Sequence, residues 1–406
     1  MIALRVWSTL ADGTRLHAGD LAFSDPDAHG RYESEFEYTR SWLAHPDACD
    51  LDPESLRLSS GRIRHRSTNL FPPLAVFEDS LPDDWGRRLI VFDRRHPRHE
   101  QGEPYLLREL GADGLGALAY AETGEPAAPR NAASVVHLDE LVEAAACFEA
   151  GKLKDRAKLR RLLAAGSTPG GARPKALVAT DDGEWIAKFP SRNRDGRFDV
   201  VGLEAAAMEI ARAAGLAVPE TRLAKAGSKR VLLVRRFDVT AAGGRRHMVS
   251  LKTLCKERPG LYVLSYGEAA AAIRKHSVAP QEDADAFYRH MVFNAVIGNT
   301  DDHLKNFWML QDGRGFRLSP AFDLVPDIGE RIEHALAFLY GQRSPMRSEL
   351  LAIAKSWGVK RAEDILEQVL AAASGFRRVA TRLGVAEENV GEIGADVDAR
   401  RKRCGS

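Results

Sequence analysis

Cysteine is scarce in this 406-residue chain: Cys49, Cys147, Cys255 and Cys404 lie far apart and form no C-x-x-C pair. That spacing excludes a zinc ribbon or a disulfide framework and fits a reducing cytoplasm. An excess of charge is missing too, with 58 Lys plus Arg against 57 Asp plus Glu. The balance argues against broad, sequence-independent attraction to nucleic-acid phosphates, although a local basic patch remains compatible with it. No window approaches 18 uninterrupted apolar residues, and the opening MIALRVWSTLADGTRL carries polar and acidic residues too early for a signal peptide. We therefore expect a soluble, unprocessed cytoplasmic protein without a membrane span. No internal repeat is visible, and no G-x-x-x-x-G-K-[ST] of a P-loop.

What is present suits a multi-domain chain. Apolar residues make up 44%, enough for sizeable cores, and the length predicts two or three domains. Residues 1–125 alternate short apolar runs such as IALRVW with turn clusters such as SDPDAHG, which predicts a small sheet with a helix or two. TGEPAAPRNAAS, near 122–135, reads as a linker, so a boundary is expected there. LDELVEAAACFEAGK has helical spacing, and KALVAT and EWIAKFP joined by Asp-Asp-Gly read as a hairpin. VGLEAAAMEIARAAG predicts a helix ending at Gly215, followed by a strand in VLLVRRFD. From about residue 246 the pattern is mostly helical, as in DADAFYRHMVFNAVIG, MRSELLAIAKSW and EDILEQVLAAASGF. The resulting class is α+β: an N-terminal α+β domain (1–125), a mixed β-rich lobe (126–240) and a large helical lobe (241–406).

The polar chemistry lies at a few positions. GSTPGG supplies Gly166, Gly170 and Gly171, whose missing side chains let backbone amides approach an anion, although a flexible loop has the same composition. Strand alternation sets Trp185, Ala187 and Phe189 on one face, with Ile186 and Lys188 on the other. Lys188 can thus face a cleft, and Glu204 or Glu209 on the next helix can pair with it, Glu204 being favoured. In GNTDDHLKNF, Asp301 and Asn306 have the D-x-x-x-x-N spacing of a kinase catalytic loop, in which Asp accepts the substrate proton and Asn holds magnesium. Asp323, in SPAFDLVP, is a candidate second magnesium ligand. Lys305 can steady the transferred phosphoryl group, and Asp302 reads as a solvated neighbour. An EF-hand lacks its ladder and terminal Glu here, and His303 has no zinc-ligand partner at i+4. Gly-rich loop, strand lysine, helix glutamate, strand, Asp-x4-Asn and later Asp follow the order that a kinase requires.

With these residues together, NTDDHLKNF, SPAFDLVP, GGARPKAL, WIAKFP and VRRFD resemble the HipA-family serine/threonine kinases, toxins of bacterial HipBA-type toxin–antitoxin modules. LFPPLAVFEDSLPDDWGRRL is similar to the short domain preceding the kinase core in that family, so the likeness spans nearly the whole chain. The resemblance implies a bilobal kinase-like fold with ATP and Mg2+ as cofactors. It implies Asp301 as catalytic base, His303 at the nucleotide, and Asn306 and Asp323 on magnesium. Lys188 would contact ATP phosphates, with Gly170, Gly171, Ala172, Arg173 and Lys175 covering them. Arg235, Phe237 and Asp238 would lie in the hinge that meets adenine.

It further implies protein substrates of the aminoacyl-tRNA synthetase class, a helix-turn-helix HipB-like antitoxin, DNA contact mainly through that partner, and no membrane. Autophosphorylation in the Gly-rich loop would fall on Thr168 or Ser167. The chain departs from the pattern at Arg235, where an acidic residue is usual. It also has Asn299-Thr300 before the catalytic Asp and Leu-Val after Asp323, unlike eukaryotic-type kinases. A catalytically silent antitoxin-binding co-repressor and a small-molecule kinase are the alternative functions.

Overall fold

Period-two burial builds the first sheet in the computed structural model, which describes all residues except 30, 68–73, 95–96, 98–99, 127–132, 135–136, 154, 156–157, 160–161, 163–172, 258–262, 314 and 330–331. In β1 (Ile2–Thr9), Leu4, Val6 and Ser8 turn inward, and the strand pairs antiparallel with β2 (Arg15–Phe23). With β3 (Glu33–Tyr38), β4 (Arg62–Arg66) and β5 (Leu118–Ala121) the order is β4-β3-β2-β1-β5. Gly19 lets β2 meet β3, because a Cβ there would fall 2.3 Å from the Phe36 ring. Helices Ala75–Asp79, Asp84–Arg94 and Glu103–Leu110 lie between β4 and β5.

The second sheet runs β6-β7-β8-β10-β9, from β6 (Ala133–Ser134), β7 (Lys175–Thr180), β8 (Gly183–Lys188), β9 (Thr221–Ala226) and β10 (Lys229–Arg235). β7 and β8 form the expected hairpin around Asp181-Asp182, closed by the Thr180–Gly183 pair. The helix Val200–Ala213 starts where the Asp199 carboxylate accepts the Gly202 N–H, and it ends before Gly215 at φ +80°.

The stretch after residue 246, expected to be mostly helical, also contains strands. A three-stranded sheet, β11 (Met248–Ser250), β12 (Trp308–Asp312) and β13 (Gly315–Leu318), brackets the DDHLKN segment. Its strands are too short to show a period, although Asp312-Gly313 is a hairpin signal. Around it stand helices Tyr266–His276, Pro280–Ile297, Arg347–Trp357, Ala362–Ala373, Phe376–Arg382 and Glu387–Gly405. No described helix is long and apolar enough to cross a membrane.

The apolar cores cross the expected boundaries. One joins Leu4 and Phe36 of the first sheet to Phe287, Met291 and Val397 of the helical region. Another sets Trp85 and Leu89 of the Asp84–Arg94 helix against Trp185, Ala187 and Leu233 of the second sheet and Leu141 of the helix Leu138–Glu149. At roughly 25 cal/mol per Å² of apolar area buried, such sharing ties the N-terminal segment to both other regions.

Candidate active site

β8 alternates as expected: Trp185 and Ala187 are fully buried, and Lys188 projects to the opposite face. There its ammonium donates to Glu204 and, at 2.6 Å, to Asp323 Oδ1. Glu209, the other candidate on the same helix, pairs instead with Arg382. Burial opposes the charge of Lys188, but Asp323 and Glu204 outweigh it and hold its pKa above the ordinary value. Asp323 is the mirror case: burial is overcome by Lys188, Lys175 and Arg173, which keep its carboxyl well below the usual range.

Asp323 also has a left-handed backbone, φ +55°, a conformation few non-glycine residues adopt and one that Asn and Asp enter more readily than most. Beside it the Phe322 ring packs on Phe237, 5.6 Å between centroids. Lys175 faces Lys188 across the β7–β8 ladder and is buried, and burial lowers its pKa against the pull of Asp323. Arg173 binds the buried Asp195 at 2.9 Å. Ser167, Thr168, Gly170, Gly171 and Ala172 lie outside the described residues.

The DDHLKN turn follows from the helix before it. Pro280 opens that helix and Gly298, at φ +75°, closes it. Asn299 then donates back to Asn294, backbone to backbone at 3.0 Å and side chain to side chain at 3.1 Å. Asp301 is exposed, and Asn306 in the Leu304–Asn306 turn donates from its amide nitrogen to the Asp301 carbonyl at 2.7 Å. That bond leaves the amide oxygen of Asn306 as the atom chemically suited to a magnesium ion. His303 is partly buried at the start of the turn.

Asp302 is not the solvated neighbour that its sequence suggests. It is completely buried and accepts from the Tyr266 hydroxyl, from His334 Nδ1 at 2.8 Å and from the Ala335 N–H at 2.7 Å. Asn294 donates to Tyr266 at 3.1 Å and extends the network back to the helix. Lys305 forms an ion pair with Asp83, from the loop before the Asp84–Arg94 helix. Both contacts join chain segments too distant for local spacing to reveal.

The hinge candidates separate. Arg235 is exposed, donates to Glu220 at 3.1 Å and to the Asp182 carbonyl at 2.7 Å, and lies over Trp185. Asp238 is buried, and its two oxygens take Arg236 at 3.0 and 2.6 Å and the Gly116 N–H at 2.8 Å. Its carboxylate is therefore committed to structure, so a nucleotide contact from this segment would come from the backbone or from Phe237.

A family model for the HipA-like C-terminal domain matches residues 167–376, and one for the HipA N-terminal domain matches 14–121. The chain belongs to the HipA family. Within curated proteins it is 28% identical over 338 residues to the kinase candidate Y4mE of Sinorhizobium fredii, covering 74% of each chain. It is 32% identical over 160 residues to the kinase candidate Y4dM of the same organism, covering 36% of this chain and 38% of the other. Among solved structures it matches a chain of the HipA, HipB and operator DNA complex of the Shewanella oneidensis MR-1 toxin–antitoxin system, at TM-score 0.70 and 18% identity. That match covers 98% of this chain and 97% of the other, so the HipA-type fold extends over nearly the whole molecule.

Proposed function

We propose that this HipA-family chain is an ATP- and magnesium-dependent serine/threonine protein kinase acting as a growth-arresting toxin. The observation that carries the reading is the Lys188 ammonium held between Glu204 and Asp323. Phosphoryl transfer needs a fixed cation at the phosphates and a metal-binding carboxylate beside it, which is what this cluster offers. The residues fit the implied groups: Asn306 and Asp323 offer oxygen donors of the kind magnesium prefers, and the buried Lys175 and partly buried Lys188 supply positive charge for phosphate oxygens. Magnesium, when bound, would neutralise charge developing on the transferred phosphoryl group.

In this reading Asp301 accepts the proton of the acceptor hydroxyl as that oxygen bonds the γ-phosphorus and ADP leaves. Lys188 and Lys175 hold phosphate oxygens, with Arg173 and the Gly-rich residues 170–172 over them. Lys305 steadies the transferred group, His303 meets the nucleotide, and the segment of Arg235 and Phe237 borders adenine. Thr168 or Ser167 is the autophosphorylation candidate. Family membership supports a translation protein such as an aminoacyl-tRNA synthetase as substrate. The Shewanella complex supports a HipB-like helix-turn-helix antitoxin as partner, with DNA reached mainly through it.

The test is incubation of the purified chain with radiolabelled ATP and magnesium, alone and with bacterial lysate. Wild type should label itself or a small set of proteins, and Asp301→Ala should label none. Equal labelling by both, or none by wild type, overturns the reading and leaves the co-repressor function standing.

A further inference from the structure

Asp83 lies far from the kinase motifs in sequence, yet its carboxylate pairs with Lys305 of the DDHLKN turn. Its negative charge also favours the charged form of Lys175 at the start of β7, so one carboxylate from the N-terminal segment is paired with the turn and felt by that strand lysine. The loop that carries it is anchored on both sides. Upstream, the buried Asp79 accepts from the Ser250 N–H at 2.9 Å and its hydroxyl at 2.7 Å, and Glu78 pairs with Lys252 at 3.1 Å. Ser250 is itself paired with Trp308, immediately beyond the turn. Downstream, Trp85 is fully buried in the core beneath the second sheet, and Arg87 Nε donates to the Pro82 carbonyl at 2.8 Å.

Lys305 is correspondingly fixed at its other end, where the Trp308 indole N–H donates to its carbonyl at 2.8 Å. A free lysine side chain samples many rotamers, and an ion pair to a rigid carboxylate selects one of them. We propose that Asp83 is a positioning residue for Lys305: the N-terminal segment holds the ammonium of the catalytic turn where the transferred phosphoryl group passes. This inference rests on the kinase reading. It makes residues 75–94 part of the catalytic apparatus as well as of the fold. A carboxylate that merely blocked the site would have to leave as phosphate arrived, and the anchors at Asp79 and Trp85 oppose that movement.

The experiment compares full-length wild type, Asp83→Asn, Asp83→Glu and Asp301→Ala. Steady-state ADP release is measured against MgATP concentration, and nucleotide affinity is measured separately by binding. Asp83→Asn should lower kcat by about tenfold or more while the MgATP Kd stays within about twofold, and Asp83→Glu should recover part of the rate. Amine labelling read by mass spectrometry should show Lys305 more reactive in Asp83→Asn, with Lys188 unchanged.

A kcat within about twofold of wild type, a Kd that moves in step with the rate, or tighter MgATP binding on removal of the charge would each overturn the proposal. Unchanged Lys305 labelling would do so as well. If wild type releases ADP no faster than Asp301→Ala, the kinase reading itself has failed and the proposal falls with it. A failure confined to Asp83→Asn leaves the kinase reading intact.

Discussion

At the residue scale, charge pairing decides how the site is set. Lys188 has two carboxylate partners, so removing one weakens its placement without abolishing its charge. Glu204→Gln should reduce kcat/KM for MgATP by roughly 10- to 100-fold, since placement of a reacting group to within an ångström is worth factors of that size. A rate equal to wild type would show that the pair with Glu204 is dispensable. Asp302 has a different duty. Its three donors would be left unpaired in a fully buried pocket by Asp302→Ala, a change expected to cost about 3–5 kcal/mol in urea unfolding. The same substitution should slow any turnover that depends on Asp301, because the two residues share one backbone turn.

At the element scale, the site hangs on the end of the Pro280–Ile297 helix. Gly298 there has φ +75°, and a Cβ would lie 2.8 Å from Arg400 Nε on the Glu387–Gly405 helix. Gly298→Ala should therefore destabilise by about 1–3 kcal/mol, read as a lower urea midpoint at unchanged m-value. An unaltered midpoint would mean that the helix end relaxes freely. Legibility followed the same division. The β7–β8 hairpin, the Val200–Ala213 helix and the Lys188–Glu204 pair were readable, because period-two alternation, helical spacing and a two-residue turn are local signals. The third sheet was missed: three strands of three to five residues carry too little pattern. Asp302 was misread because polarity alone does not distinguish an exposed carboxylate from one supplied with three donors.

At the scale of the whole molecule, buried titratable groups outside the site shape the pH dependence of stability. His247 Nε2 donates to the Leu51 carbonyl at 2.7 Å inside the fold, and burial lowers its pKa to about 4; His290 is likewise lowered to about 4 by burial, with Asp302 opposing. Both histidines bind protons more readily unfolded, so stability should fall as pH drops from about 6.5 through 4. Glu103 shows the opposite behaviour: burial raises it to about 8, so the folded state keeps a proton that the unfolded chain has lost, and stability falls as pH rises from 4.5 towards 8. Where the windows overlap the two histidines outweigh the one carboxyl, so Tm followed against pH should peak at about pH 6.5, and Glu103→Gln should flatten the alkaline limb above it. An unchanged alkaline limb in that variant would remove Glu103 from the account.

The sequence by itself determined the family, the order of the motifs along the chain and the identity of Lys188, Glu204, Asp301, Asn306 and Asp323 as chemically fit candidates. Residue type and short spacing suffice for those features, since strand faces, helix faces and turns depend on neighbours in the chain. Tertiary structure alone decided that Asp302 is a buried acceptor, that Asp238 serves Arg236, and that Asp83 meets Lys305. Those contacts exist only because apolar cores bring distant segments together. The free energy of burial is non-directional and leaves no periodic trace at the polar residues it happens to juxtapose.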